Sequence, residues 1–268
     1  MKQTKRLIAC MMALLMVLSC GFAFSSCGKN EEVINVGYTL YAPMNYKDTD
    51  GKLIGFDTEL AEAVFKNMGY KVNFVEIKWE NKYTDLASHT IDCIWNGFTA
   101  NTADDDGVAR ADKVDFSYNY MKNKQVVVIK EGTTLAAKED FAGKTGVAET
   151  GSAGEGYAAS FEGAKVKGVT RQTDALMEVN TGTADFAVLD EQLAKNYCGN
   201  GDYSELKIVE EFSSNEEFYA IGFAKGSGLT ALVNEQLERL AGDGTIAMLA
   251  KKYGLENTVI TSFADQKQ

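Results

Sequence analysis

Segments typical of β-strands alternate with segments typical of α-helices along this chain, and this alternation limits the possible folds more than any other feature. Apolar runs predict strands at 33–39, 71–77 and 91–95, with helical patterns between them at 57–68 and 80–88. Parallel neighbouring strands need a crossover connection, which is usually a helix. The order of segments therefore predicts an open, largely parallel sheet covered by helices.

The helix predicted at 57–68 has an apolar stripe and a signal at each end. The stripe is formed by residues that share one helix face, namely Leu60, Ala61, Val64 and Phe65. Asp57 is a residue type that caps helix N-termini, and Gly69 is typical of a helix end. We therefore expect one buried face, with Asp57 as the cap.

The alternation begins again after Gln125. Strands are predicted at 145–148, 166–169, 186–189 and 218–223. Helices are predicted near 153–161, 173–180, 191–197, 229–241 and 245–253. Two such units predict two α/β lobes, although the single proline of the chain is Pro43 and no Pro-rich linker separates the units.

The first 26 residues differ in composition from the rest. Lys2, Lys5 and Arg6 precede an apolar and small-residue stretch at 7–24, which is the layout of a secretory signal peptide. We predict a signal peptide at 1–26. The alternative is an uncleaved membrane anchor, since the 18 residues of 7–24 are near the lower limit for spanning about 30 Å of hydrocarbon.

Cys27 follows small residues at the end of that stretch, and Cys20 has a similar setting. The segment resembles the lipobox of bacterial lipoproteins, which implies that Cys27 is lipidated and becomes the mature N-terminus. Cys93 and Cys198 are the cysteines beyond this segment. A disulfide between them is one alternative, but Cys93 lies in an apolar predicted strand, which favours a buried free thiol.

The chain is acidic, with 27 Lys and Arg against 38 Asp and Glu. Loss of the three cations in 1–26 would change the formal net charge from −11 to −14. Such a body repels phosphate backbones, so we predict no nucleic-acid partner. The only histidine is His89, in a predicted surface turn, and we find no Ser-His-Asp set, metal cluster or phosphate loop in the sequence. We therefore predict a protein that is not an enzyme and needs no metal or cofactor.

Short motifs occur in a characteristic order between Val33 and about Gly254. They are Val36-Gly37 with Tyr41-Ala42-Pro43, Asp50 to Asp57, Ile91 to Thr99, Lys113 to Ser117, Gly143-Lys144 with Gly151-Ser152, Ala184 to Asp190, and Asp243 to Thr245 with Lys252 to Gly254. In order and spacing they resemble family 3 of the bacterial extracellular solute-binding proteins, the receptors of polar amino-acid ABC importers.

The resemblance implies a two-lobed periplasmic-binding-protein-like fold of type II. Two hinge strands, near 122–125 and 217–221, would join the lobes, and the ligand would lie in the interlobe cleft. Lobe 1 would be discontinuous, at 33–122 plus 220–268, and lobe 2 would span 126–215.

The resemblance also implies a function. The protein would be an extracytoplasmic receptor anchored to the cell membrane through a lipidated tether at 27–32. Its partners would be a small-molecule amino acid and the membrane permease of an ABC importer. Uncharged polar amino acids of the glutamine or cystine type are the first candidates, followed by arginine and lysine. The alternatives are an enzyme on the same fold, such as a cyclohexadienyl-dehydratase-like protein, and an adhesin.

An amino acid presents a carboxylate, for which the planar guanidinium of arginine is well suited. The resemblance places this cation at Arg110, whereas a solvated surface arginine is the alternative. Thr99 and Arg110 are eleven positions apart, further than in the family, and 102–107 is interpreted as an inserted solvated loop. Backbone N–H groups of Thr99, and of Ser152 or Ala153 at a helix start, would complete the carboxylate site.

The ammonium of the ligand needs an anion, and the resemblance places it at Asp190. The Gly97 carbonyl and the Thr99 hydroxyl would complete that site. The alternative for Asp190 is a cap of the helix predicted to begin at residue 191. Tyr41 and Trp79 match positions where the family holds the ligand side chain between aromatic rings. Glu149 is a further candidate contact of the side chain, and an exposed glutamate is the alternative.

Overall fold

A computed structural model describes residues 32–266 of the chain. The predicted signal peptide at 1–26, Cys27 and almost all of the tether at 27–32 lie outside these residues. Within the described range, no helix combines the length and apolar character needed to cross a membrane.

The secondary structure alternates as predicted. The strands are β1 (Glu32–Tyr38), β2 (Tyr46–Lys47), β3 (Leu53–Ile54), β4 (Tyr70–Glu76), β5 (Cys93–Ile94), β6 (Asp115–Phe116), β7 (Met121–Asn123), β8 (Gln125–Lys130), β9 (Thr145–Glu149), β10 (Lys165–Val169), β11 (Phe186–Asp190), β12 (Leu206–Ser213), β13 (Glu217–Tyr219) and β14 (Gly222–Phe223). The helices are α1 (Phe56–Asn67), α2 (Lys82–Ala87), α3 (Arg110–Lys113), α4 (Ala153–Ala159), α5 (Gln172–Asn180), α6 (Glu191–Tyr197), α7 (Leu229–Gly242) and α8 (Thr245–Lys252). The predicted strand at 218–223 is divided into β13 and β14.

The first sheet has the strand order β4-β1-β5-β14-β6. Strand β1 is parallel to β4 and β5, whereas β14 is antiparallel to both of its neighbours. Helix α1 buries the predicted face of Leu60, Ala61, Val64 and Phe65. Cys93 of β5 is a fully buried free thiol, as predicted, and Cys198 is free as well.

The second sheet has the strand order β10-β9-β11-β8-β12. Strand β9 is parallel to β10 and β11, but β8 is antiparallel to β11 and β12. Both sheets are therefore mixed, and the prediction of a largely parallel sheet is wrong for half of the pairings. Neither β8 nor β12 was predicted. The buried run Gln125–Ile129 in β8 lacks the period-two alternation by which a half-buried strand is recognised.

Two short strands connect the sheets. Strand β7 follows β6 of the first sheet and precedes β8 of the second, and β13 follows β12 and precedes β14. They pair antiparallel, with Asn123 opposite Glu217. These strands coincide with the two predicted hinge segments. The lobe limits 33–122 plus 220–268 and 126–215 stay a prediction.

The start of α1 differs from the prediction. The helix begins at Phe56 after Gly55, and no side chain caps it. Asp57 lies inside the first turn and is fully buried. The prediction that Asp57 caps the helix is wrong, because its carboxylate is used in a tertiary contact instead.

Candidate functional site

A small cavity, with an accessible volume of about 10 Å³, is lined by residues that belong to or follow strands of both sheets. It is lined by Trp79, Asn96, Gly97, Thr99, Arg110, Glu149, Ser152, Ala153, Gln172 and Asp190. Several of these residues end or follow the parallel strands β5, β9 and β11. Ligands of open α/β sheets bind at such carboxyl ends. A wider groove along α1, α7 and α8 is lined by exposed charges such as Lys52 and Glu62, so the small cavity is the better candidate.

The cavity brings together seven of the eight residues predicted to bind the ligand. Three of them, Gly97, Thr99 and Arg110, precede the first connecting strand, as does Trp79. The other three follow it: Ser152, Ala153 and Asp190. Tyr41 is the eighth residue and is not part of the lining.

Arg110 begins α3 and is only 1% exposed, so it is not a solvated surface arginine. Its guanidinium carbon lies 5.3 Å from the centre of the Phe98 ring. Nη1 donates to the Thr99 carbonyl at 3.3 Å and Nη2 to the Gly151 carbonyl at 3.2 Å. The two terminal nitrogens therefore span both sides of the cavity.

Asp104 holds the remaining edge of this guanidinium. Its Oδ1 accepts a hydrogen bond from Arg110 Nε at 2.7 Å, and its Oδ2 accepts from Lys113 at 2.8 Å and from Tyr83 at 2.7 Å. Burial alone would raise the pKa of Asp104, but these hydrogen bonds and the positive charge of Arg110 lower it to about 2. The interpretation of 102–107 as a solvated loop is therefore wrong at Asp104, because that carboxylate is the counter-ion of Arg110.

Asp190 ends β11 and is 6% exposed. Its Oδ1 accepts from Asn123 at 2.8 Å and from Gln125 at 2.7 Å, and its Oδ2 accepts from Gln172. Burial raises the pKa of this carboxyl, and the amide hydrogen bonds offset part of the effect. Asp190 occupies the N-cap position of α6, but its side chain makes no capping hydrogen bond there.

Gly97 has no room for a side chain. Its φ is +56°, and a Cβ atom would lie 2.2 Å from the Tyr41 hydroxyl oxygen. The Gly97 N–H donates to Asp57 Oδ2 at 3.0 Å, and the Tyr120 hydroxyl donates to the same oxygen at 3.0 Å. Asp57 thus holds the backbone of Gly97, which lines the cavity, in place. Tyr41 contacts Gly97 but does not line the cavity, so its stacking on a ligand stays a prediction.

Thr99 connects the cavity to the strands that join the sheets. Its hydroxyl donates to Glu217 Oε2 at 3.1 Å, and Gln125 Nε2 donates to the same oxygen at 2.9 Å. Burial raises the pKa of Glu217, with these hydrogen bonds acting in the opposite direction. The Thr99 hydroxyl oxygen keeps its acceptor capacity toward the cavity.

Ser152 and Ala153 form the wall opposite Thr99. Ser152 is the N-cap of α4, because its hydroxyl accepts from the Glu155 N–H at 3.1 Å. The Ser152 N–H already donates to the Glu149 carbonyl at 3.1 Å. Of the two predicted amide donors, Ala153 is therefore the better placed to receive a carboxylate.

Sequence reasoning missed three lining residues or left them open. Asn96 follows β5 and donates to the Asn45 side chain at 2.7 Å. Gln172 begins α5 and holds Asp190, while Glu149 ends β9 and is 3% exposed. The position of Glu149 at the end of an apolar predicted strand was the sequence feature that could indicate a site residue. The alternative, an exposed glutamate, is excluded by the burial of Glu149 in the fold.

Two mixed α/β sheets that share a buried charged cavity, and that are joined by a pair of short strands, define the two-lobed class of solute-binding proteins. The family can be stated as well. The family model of the bacterial extracellular solute-binding proteins, family 3, matches residues 34–256, and the chain belongs to this family.

The chain is also similar to individual proteins. It is 33% identical over 230 residues to the L-cystine-binding protein TcyA of Bacillus subtilis, covering 84% of this chain and 82% of TcyA. An ancestral arginine-binding protein bound to arginine has a TM-score of 0.75 at 31% identity, covering 82% of this chain and 97% of that one. The ancestral amino acid-binding protein AncCDT-1, a precursor of cyclohexadienyl dehydratase, has a TM-score of 0.72 at 27% identity, with coverages of 82% and 95%.

Proposed function

We propose that this protein is the amino-acid receptor of an ABC importer and that the small cavity holds the ligand. The observation that carries the proposal is the pair Arg110 and Asp190, two buried side chains of opposite charge that line one cavity. They belong to segments on either side of the first connecting strand. A ligand that contacts both favours a closed arrangement of the lobes by its differential affinity.

The α-carboxylate would bind the terminal nitrogens of Arg110. Asp104 occupies Nε, so Nη1 and Nη2, which now donate to carbonyls, are the nitrogens that a carboxylate can engage. When the ligand carboxylate replaces the two neutral backbone carbonyls as the acceptor, the hydrogen bonds from Arg110 become shorter and stronger. The amide of Ala153 would add a donor at the start of α4, since the Ser152 N–H already donates to the Glu149 carbonyl.

The α-ammonium would bind Asp190. In residues 32–266 this carboxylate has amide donors but forms no ion pair, and burial penalises its charge. An ammonium supplies the missing positive charge, with the Gly97 carbonyl and the Thr99 hydroxyl as further acceptors. Trp79, 5% exposed, would contact the ligand side chain.

Polar amino acids are the proposed ligands, with cystine and glutamine first and arginine or lysine next. The similarity to a cystine-binding and an arginine-binding protein supports this range. We also propose that the receptor acts outside the cytoplasm, that Cys27 anchors it to the membrane through acyl chains, and that a permease takes the ligand from it.

A screen of the twenty amino acids plus cystine by thermal unfolding tests the proposal. A ligand at 100 times its Kd stabilises the folded protein by about 2.7 kcal/mol. We expect Arg110→Ala and Asp190→Asn each to weaken binding of that ligand by roughly a hundredfold, since each removes charged hydrogen bonds. Unchanged affinity in calorimetry for either variant would contradict the proposed roles.

An enzyme on the same fold is the second candidate, because one structural neighbour is a dehydratase precursor. Burial raises the pKa of Glu149 at the cavity, and a protonated carboxyl is what a general acid requires. Incubation of the stabilising compound with the protein, followed by mass spectrometry, separates the candidates. A receptor returns its ligand unchanged, whereas a dehydratase returns a product lighter by one water.

A further inference from the structure

Glu149 is a buried acceptor of the cavity that the roles above leave unused. It is 3% exposed, and its Oε1 has no hydrogen-bond partner among the described residues. The residue ends β9 and lines the cavity together with Asp190. A buried acceptor without a partner costs about 1–3 kcal/mol, so such an atom in a cavity points to a missing donor.

The neighbouring cation does not supply that donor. Lys82 Nζ interacts electrostatically with Glu149, but it donates to the Gly151 carbonyl at 3.0 Å. The same Nζ lies 5.2 Å from the centre of the Trp79 ring and 4.7 Å from that of Tyr83. Within the described part of the chain, Glu149 forms no ion pair.

The residues that line the cavity provide no charged partner for Glu149, even when a zwitterion is bound. The lining contains one cation, Arg110, and two carboxylates, Glu149 and Asp190. If Arg110 takes the α-carboxylate of the ligand and Asp190 takes its α-ammonium, both charges of the zwitterion are used. Gln172 also interacts with Glu149, but its amide nitrogen donates to Asp190 Oδ2. The side chain of the ligand therefore remains as the source of a donor for Glu149 Oε1.

We propose that Glu149 reads the ligand side chain by accepting a hydrogen bond from a nitrogen donor on it. This inference rests on the proposed function and narrows it to amino acids whose side chain ends in an amide N–H, an ammonium or a guanidinium. Glutamine, lysine, arginine and cystine, with its second ammonium, fulfil the condition. Aspartate and glutamate do not, because their carboxylates would face a carboxylate.

Binding calorimetry with matched ligands tests the proposal. Glutamine is compared with glutamate, and lysine with norleucine, so that each pair differs at the end of the side chain. We expect the parent protein to prefer the member with the nitrogen donor at least tenfold in one of the pairs. Glu149→Leu should abolish that preference and weaken binding of the donor ligand about 10- to 100-fold, while binding of norleucine changes less than about threefold.

A matched control is Glu217→Gln. Glu217 is also a buried carboxylate near the cavity, but Thr99 and Gln125 already donate to it. We expect this variant to change the affinity for all ligands alike. Glu149→Gln tests the unliganded protein separately. Because burial disfavours the charged form of Glu149, this variant should be as stable as the parent or more stable.

The outcomes are distinguishable. If no amino acid binds the parent protein, the proposed function fails and this inference fails with it. If amino acids bind but Glu149→Leu leaves the preference unchanged, or weakens both members of a pair equally, only the role of Glu149 is overturned. Tighter binding of glutamate than of glutamine to the parent would also overturn it.

Discussion

Asp104 Oδ1 lies 2.7 Å from Arg110 Nε, and this contact fixes one edge of the guanidinium that faces the cavity. The carboxylate comes from the segment 102–107, which separates Arg110 from Thr99 along the chain. The inserted segment thus orients the side chain that we propose to bind the ligand carboxylate.

Asp104→Asn is expected to weaken ligand binding by about tenfold, because the charged acceptor of Arg110 Nε becomes a neutral amide and orients the guanidinium less strongly. The control is Asp106→Asn, since Asp106 belongs to the same segment and pairs with Lys113 but, within residues 32–266, forms no hydrogen bond or ion pair with Arg110. Calorimetry with the ligand from the screen measures both. Equal affinities of the Asp104→Asn protein and the parent would show that Arg110 is held in place without Asp104.

Gly97→Ala is expected to destabilise the folded protein by about 2 kcal/mol or more, because the new Cβ would collide with the Tyr41 hydroxyl at a positive φ. Gly107→Ala is the control. Gly107 also has a positive φ, +74°, but nothing lies within 4 Å of its Cβ position, so a loss of about 1 kcal/mol is expected. Urea unfolding measures both variants, and similar losses would contradict the close contact of Gly97 with Tyr41.

Asp57 should make the stability of the unliganded protein depend on pH. Burial raises its pKa to about 7, although hydrogen bonds from Gly97 and Tyr120 oppose the shift. The native state then binds a proton that the unfolded state has released, so the free energy of unfolding falls as pH rises from about 4 to 7. Asp57→Asn removes this contribution.

The variant should therefore gain stability relative to the parent as pH rises from 4 to 7, and show little further change above that range. Urea unfolding of both proteins at several pH values measures the difference. A constant difference across the range would mean that Asp57 titrates normally in the folded protein.

Cys27→Ser is expected to release the protein from the membrane without changing its affinity for the ligand, since Cys27 precedes the described residues and the cavity is formed entirely within them. Mass spectrometry of the native protein should find acyl chains on Cys27. Acyl chains on Cys20 would instead contradict the assignment of Cys27 and place the mature N-terminus at Cys20.

From the sequence alone we could predict the alternation of most strands and helices, the buried face of α1 and the resemblance to the family. These features depend on local periodicity and on motif spacing, and both can be read directly from the amino-acid sequence. The same information predicted Arg110 and Asp190 as ligand contacts, and both residues line the cavity.

The partners of the buried charges could be assigned only from the three-dimensional fold. Asp57 has the sequence position of a helix cap, and Asp104 lies in a run of aspartates that is typical of a solvated loop. Both carboxylates are instead paired with groups that the fold brings to them, Gly97 for Asp57 and Arg110 for Asp104. Hydrogen bonds between residues distant in sequence leave no periodic pattern, and the cost of burying a charge depends on the donors that surround it in three dimensions.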